Sequence, residues 1–122
     1  MNNILVVYES YLVRWLHLDG LVLYPFILIS TSKEETLPST LKHEVTHVHQ
    51  IERDGFCRFY CNYCIYMCND CYENNQYEQD AYATESNALT KAELEVLNLP
   101  PTFPKTDKAY RKQKKQSGGT KR

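Results

Sequence analysis

The sequence predicts an α+β domain in which a small antiparallel N-terminal sheet packs on three main helices. Three observations predict it. Apolar, β-branched runs are confined to the first 29 residues. Helical 3.6-residue periodicity takes over from residue 38. Polar or glycine-containing punctuation separates the segments. A chain of 122 residues with 43% hydrophobic content has room for one modest core.

Ile4 to Tyr8 reads as the first strand, and Tyr11 to Leu16 reads as its extension or as a pairing partner for the next strand. Asp19-Gly20 is a turn signal. Leu21 to Ile29 reads as a second strand, with Pro25 marking an edge or a bulge. Pro38-Ser39 opens a helix with Ser39 as its N-cap, and Asp54-Gly55 ends or bends it. Leu41, Val45, Val48 and Glu52 form the core-facing stripe. Phe56 to about Cys71 reads as a backing helix, broken at Asn74-Asn75. A third helix is expected from about Tyr77 to Leu89. Thr90 to Glu93 has capping-box form, which predicts a short helix over 91–97. Pro100-Pro101 and Pro104 end the ordered structure. The domain therefore spans 1–104, and 105–122 is expected to be a disordered basic tail.

Charge divides the same way. Residues 105–122 carry eight Lys/Arg and one Asp, whereas the remainder carries six Lys/Arg against fourteen Asp/Glu. A basic tail on an acidic body suits solubility first, and contact with nucleic acid or another acidic partner second. Met1-Asn2-Asn3 lacks a basic leader, and the longest apolar run, Leu21 to Ile29, is too short to span a membrane. Five cysteines crowded between 57 and 71 do not resemble a secreted disulfide framework. The expected compartment is the cytoplasm, with no membrane partner.

His43-Glu44-Val45-Thr46-His47 carries the chemistry. This is the H-E-x-x-H pattern by which many metallopeptidases hold zinc. Two histidines four apart project from one helical face and reach one ion, while the glutamate between them reaches a metal-bound water. Chance alone produces the pattern in about one chain in a hundred of this composition. On a helical wheel the pair lies beside the core stripe, where a cleft can reach it. Catalytic zinc takes a third protein ligand. No histidine lies beyond His49, so that ligand is a carboxylate or a cysteine. Glu78 is the best placed, on the third helix, where small Ala81 permits close approach. Glu85 shares its face and is the main rival, and Asp80 points nearly opposite. His49 lies on the far side of its helix and reads as a surface or packing residue, and His17 reads as structural.

His43 to Gln50, together with Glu78-Gln79-Asp80-Ala81, resembles the gluzincin clan of zinc peptidases, and in size the single-domain minigluzincins. A glutamine three residues after the second histidine also recurs in small bacterial and phage proteins of this type. The resemblance covers roughly residues 20–90, with firm motifs at 43–50 and 78–82. It implies that His43, His47 and Glu78 ligate zinc and that Glu44 is the general base. It implies a peptide or protein substrate. Where the family has an aspartate that orients a ligand histidine, this chain has Tyr82, so Tyr82 or Glu85 must serve. A non-catalytic relative that binds a partner through the basic tail is the alternative function.

Cys57, Cys61, Cys64, Cys68 and Cys71 fall in a heptad-like seam. The expected role is a core face with cysteine acting as a small hydrophobe. Cys57, Cys61 and Cys64 also match the cluster motif of radical-SAM enzymes, but the chain is too short for their barrel. Three residues between the Cys61/Cys64 and Cys68/Cys71 pairs exclude a zinc ribbon. A helical thiolate site and redox sensing are the alternatives.

Overall fold

The computed structural model describes residues 4–70 and 75–118. It is an α+β fold with a three-stranded sheet and helices around one core. The strands are β1 (Leu5–Val7), β2 (Gly20–Leu23) and β3 (Phe26–Ile29), in the spatial order β1-β3-β2. The sheet is mixed rather than antiparallel: β1 runs parallel to β3, and β2 antiparallel to it. Two sequence expectations change as a result. Leu21 to Ile29 is a tight hairpin rather than one strand, turning at the cis Tyr24-Pro25 bond. Tyr11 to Leu16 is not strand either, because α1 (Tyr11–Trp15) carries the chain across from β1 to the hairpin. That crossover is what makes β1 parallel to β3.

One face of the sheet is buried. Val22 pairs with Ile27, and Ile29 lies opposite Gly20, so these side chains point together onto α2 (Pro38–Asp54). The other face presents Leu5, Val7, Leu23 and Phe26 to solvent. In α2, Leu41, Val45 and Val48 are fully buried as the wheel predicts, but Glu52 is exposed. Pro38 occupies the first turn, where its missing N–H costs nothing. Ser39 is not the N-cap, a position held by Leu37. Instead, the Ser39 N–H and hydroxyl both donate to the Asp107 carboxylate, at 2.9 and 2.8 Å. Gly55, at φ 91°, ends the helix.

The backing helix α3 (Phe56–Asp70) packs on α2 through Phe59, Tyr60 and Tyr63. The expected cysteine core face is overturned, since Cys57, Cys61 and Cys64 are all exposed and free. The aromatic residues of α3 claim the buried side and leave Cys57, Cys61 and Cys64 outward. The side chain of Cys68, and Cys71 as a whole, lie outside the described residues.

The glutamate helix α4 (Gln76–Thr84) is shorter than predicted and stops well before Leu89. The capping box at Thr90 is present and opens α5 (Lys91–Val96). The prolines do not end the order. Residues 107–118, expected as disordered tail, form α6 (Asp107–Gly118), docked by the Asp107–Ser39 bonds and by the Tyr110 hydroxyl on the Glu34 carbonyl at 2.8 Å. Two side chains facing the body at one helical turn's spacing supply the anchor that composition did not reveal. No helix among the described residues is long and apolar enough to cross a membrane.

Asn75 ties α4 to α3. Its carboxamide oxygen accepts from the backbone N–H groups of Tyr77 and Glu78, and its amide donates to the Tyr63 carbonyl. It is fully buried. Replacing a capping Asn costs about 0.5–2 kcal/mol, and here the replacement also leaves buried groups unpaired. Asn75→Ala is expected to lower unfolding free energy by about 2 kcal/mol in urea titrations. A loss below about 0.3 kcal/mol would show that the cap does not hold α4.

Candidate metal centre

Helix periodicity places His43 and His47 one turn apart on α2, and the Asn75 cap starts α4 so that Glu78 faces them. All three side chains are buried. His43 Nε2 lies 3.0 Å, and His47 Nε2 3.4 Å, from the same oxygen, Glu78 Oε1. One ligand atom from each of the three residues falls within 4.8 Å of the others. For bonds of about 2.0–2.1 Å, neighbouring ligands around a tetrahedral ion sit about 3.3 Å apart. The two measured separations bracket that edge. A donor set of two imidazoles and one carboxylate, already gathered at this spacing, fits a divalent metal ion.

The outer nitrogens are also assigned. His43 Nδ1 donates to Glu85 Oε1 at 2.9 Å, since a carboxylate can only accept. His47 Nδ1 donates to Gln50 Oε1 at 2.8 Å, and the Gln50 amide donates in turn to the Tyr77 carbonyl at 3.1 Å. That second bond fixes which way the carboxamide points. With Nδ1 of each ring occupied as a donor, the Nε2 atoms are the ones turned to the metal position. The Tyr63 hydroxyl donates to Glu78 Oε2, so Oε1 is left for the histidines. Between the two residues expected to orient His43, the hydrogen bond is made by Glu85. Tyr82 instead lays its ring edge-on against His43, with centroids 4.7 Å apart.

Glu44 lies beside this triad, between the histidines and β2. A Cβ on Gly20 would come within 2.8 Å of Glu44 Oε2, so glycine at the start of β2 is what lets the carboxylate fit. Burial pushes Glu44 up to about 7, against the opposing pull of His47 and His43. For His43 burial favours the neutral ring, but hydrogen bonds to Glu78 and Glu85 and the Glu44 charge outweigh it and raise the pKa. Burial would also raise Glu78. The bonds from His43 and His47 reverse this and hold it well below the usual carboxylate range.

Two openings meet at His43 and Glu44. A polar cleft of about 590 Å³ is lined by Asp19, Ser39, Thr40 and Glu85, together with Tyr82 and His17. An apolar pocket of about 230 Å³ lies between β2 and α3, with Phe59 and Tyr63 in its wall. His17, expected to be structural, lines this cleft. Its positive φ of 60° marks the tight bend after α1, a signal no sequence pattern carried. His49 lies on the opposite side of α2, half-exposed and bonded to Glu93 at 2.9 Å. Asp80 points away and bonds Gln76.

Scans against protein-family models, curated proteins and solved structures each find no match for this chain.

The titrations have a definite sign. Glu44 and His43 both keep protons in the metal-free fold that the unfolded chain has released, so stability is lost as pH rises through their folded pKa values. The metal-free protein is expected to melt at a higher temperature at pH 5.5 than at pH 7.5, with Glu44→Gln flattening that slope. A metal ion held by the triad would act oppositely, because ligation needs deprotonated imidazoles. Its stabilisation, about 2.7 kcal/mol at a hundredfold excess over Kd, should be larger at pH 7.5. Thermal scans with chelator and with zinc check both, and a slope unchanged by Glu44→Gln would refute the assignment.

Proposed function

We propose that this protein is a small zinc-dependent hydrolase of the gluzincin type, cleaving peptide bonds. The observation that supports this most is the division of labour on α2. His43 and His47 turn with Glu78 to one point, while Glu44, between them in sequence, turns to the adjoining cleft. Zinc, when bound, supplies a Lewis acid that acidifies water and polarises a carbonyl. The protein's own groups do the rest. Glu44 accepts the proton of the attacking water and returns it to the leaving amine. Glu85 and Gln50 hold the two imidazoles in the ligating tautomer, and Tyr63 holds the Glu78 carboxylate in register.

A peptide substrate suits the surroundings. The Ser30 N–H bonds the Asp19 carbonyl, so Asp19, Leu21 and Leu23 turn their backbone groups to β3, and Gly20, Val22 and Tyr24 turn theirs outward. The part of that edge beside the metal position, Gly20 and the Val22 N–H, can pair with an extended chain. The test is a zinc-loaded protein against a fluorogenic peptide library. Glu44→Gln is expected to keep its zinc and lose about 10²–10⁴-fold in kcat/KM. Glu78→Gln is expected to lose the zinc itself. Full activity in Glu44→Gln, or a wild type that holds less than about half an equivalent of zinc, would overturn the reading.

One observation favours a second reading, a binding protein on the same scaffold. Lys108, Arg111, Lys112 and Lys115 recur at i, i+3, i+4 and i+7 along α6, all exposed, while Asp107 and Tyr110 face the body. Lys114 lies instead on the Tyr110 side, and the four-residue cationic face suits nucleic acid or another acidic partner. Affinity for a DNA duplex that falls steeply with salt, and is lost in Lys108→Glu/Lys112→Glu, would support it. Salt-insensitive or absent binding would dismiss it.

A further inference from the structure

Tyr60 sits where the free edge of β2 leaves the metal centre. Its hydroxyl accepts from the Tyr24 N–H at 3.2 Å and donates to the Val22 carbonyl at 2.9 Å. Both groups belong to the outward set of the strand, so a side chain from α3 occupies the place that the next strand's backbone would take. The position along the edge matters. Gly20 abuts Glu44, and the Tyr24 hydroxyl reaches Glu52, two turns further down α2. β2 therefore runs alongside α2, away from the metal position, and Tyr60 interrupts its edge midway. On the metal side lies the apolar pocket. On the far side, Leu23, Tyr24 and Phe56 line a second depression of about 220 Å³. Tyr60 lines both, as the wall between them.

We propose that Tyr60 sets the length limit of the cleft, so that the protein acts on extended peptides that place one apolar side chain beside the metal and extend no further along β2. The inference rests on the peptidase reading. Backbone groups of Gly20 and the Val22 N–H lie on the metal side of Tyr60, and a chain of one or two residues can use them. A longer chain meets the phenol, and the two backbone groups beyond it are already satisfied. The ring itself is fixed between Phe56 and Phe59, with centroids 4.9 and 5.0 Å away, so thermal motion does not readily clear it. Without the hydroxyl, the Val22 carbonyl and the Tyr24 N–H become available to a longer chain.

The test uses zinc-loaded protein and hydroxamates, which anchor on the metal without being cleaved. Acetohydroxamate is compared with leucine-containing hydroxamates of increasing length, extended toward either terminus, by calorimetric titration. In the wild type, affinity is expected to rise on adding the first leucine and then stay flat. In Tyr60→Phe, which keeps the ring packing, each further residue in one of the two series should add about threefold or more. Acetohydroxamate itself should bind both proteins equally. Identical length dependence in the two proteins, or wild-type affinity that keeps rising with length, would overturn the limit while leaving the peptidase reading intact. Failure of every hydroxamate to bind zinc-loaded protein would overturn both.

Discussion

The Glu78 carboxylate is the junction on which the arrangement depends. Three of the main helices meet on its two oxygens: α2 through His43 and His47, α3 through Tyr63, and α4 through its own backbone. A buried carboxylate with no partners is costly, and removing one partner of a buried pair costs more than the pair contributes. The fold therefore surrounds this group with donors. Those donors include the two imidazole nitrogens that a metal needs, so the interaction holding the helices together without metal uses the same atoms that ligation would use. A metal ion and a proton would compete for one set of lone pairs, and that competition would couple site occupancy to stability.

The sheet contributes by position. Its buried face rests on α2, and the one place where a side chain is missing from that face, Gly20, is where Glu44 comes closest. Any larger residue would have to displace a buried carboxylate. The hairpin thus does two things at one end: it leaves room for the Glu44 carboxylate and it presents a strand edge beside it. Both depend on the crossover α1, which delivers the chain to residue 20 on the side of β3 away from β1.

The parts of this design set by local rules were legible in the sequence. The H-E-x-x-H spacing fixes a common face for its histidines on any helix, Thr90 and Glu93 complete a capping box within four residues, and Gly55 ends α2. Glu78 could be ranked above Asp80 because helical phase separates them. The features that were not legible depend on contacts distant in sequence. Tyr11 to Leu16 has strand-like residues but becomes helix because the chain must cross β3. The cysteine seam of α3 has core-like periodicity, yet Phe59 and Tyr63 take the interior, and two competing stripes on one helix cannot be ranked by periodicity alone. The order in α6 rests on Asp107 finding Ser39, 68 residues away. The choice of Glu85 over Tyr82 as the partner of His43 needed the third dimension for the same reason.

A second carboxylate shows why the cluster at Glu78, rather than its neighbour, is the metal candidate. Glu93 is as buried as Glu78 and also faces α2, where it meets a histidine, His49. Its oxygens, however, accept two bonds from the Lys42 ammonium at 2.9 and 3.0 Å, and one of them also takes the Thr90 N–H. An ammonium has no lone pair to offer, and a backbone N–H cannot ligate. Glu93 is therefore neutralised by groups that exclude a metal, and it locks α5 against α2. Glu78 is neutralised by groups that are themselves ligands. The same helix thus carries a structural ion pair on one side and a candidate metal centre on the other. The chemistry of the carboxylate's partners separates them, since burial and the presence of a histidine are common to both.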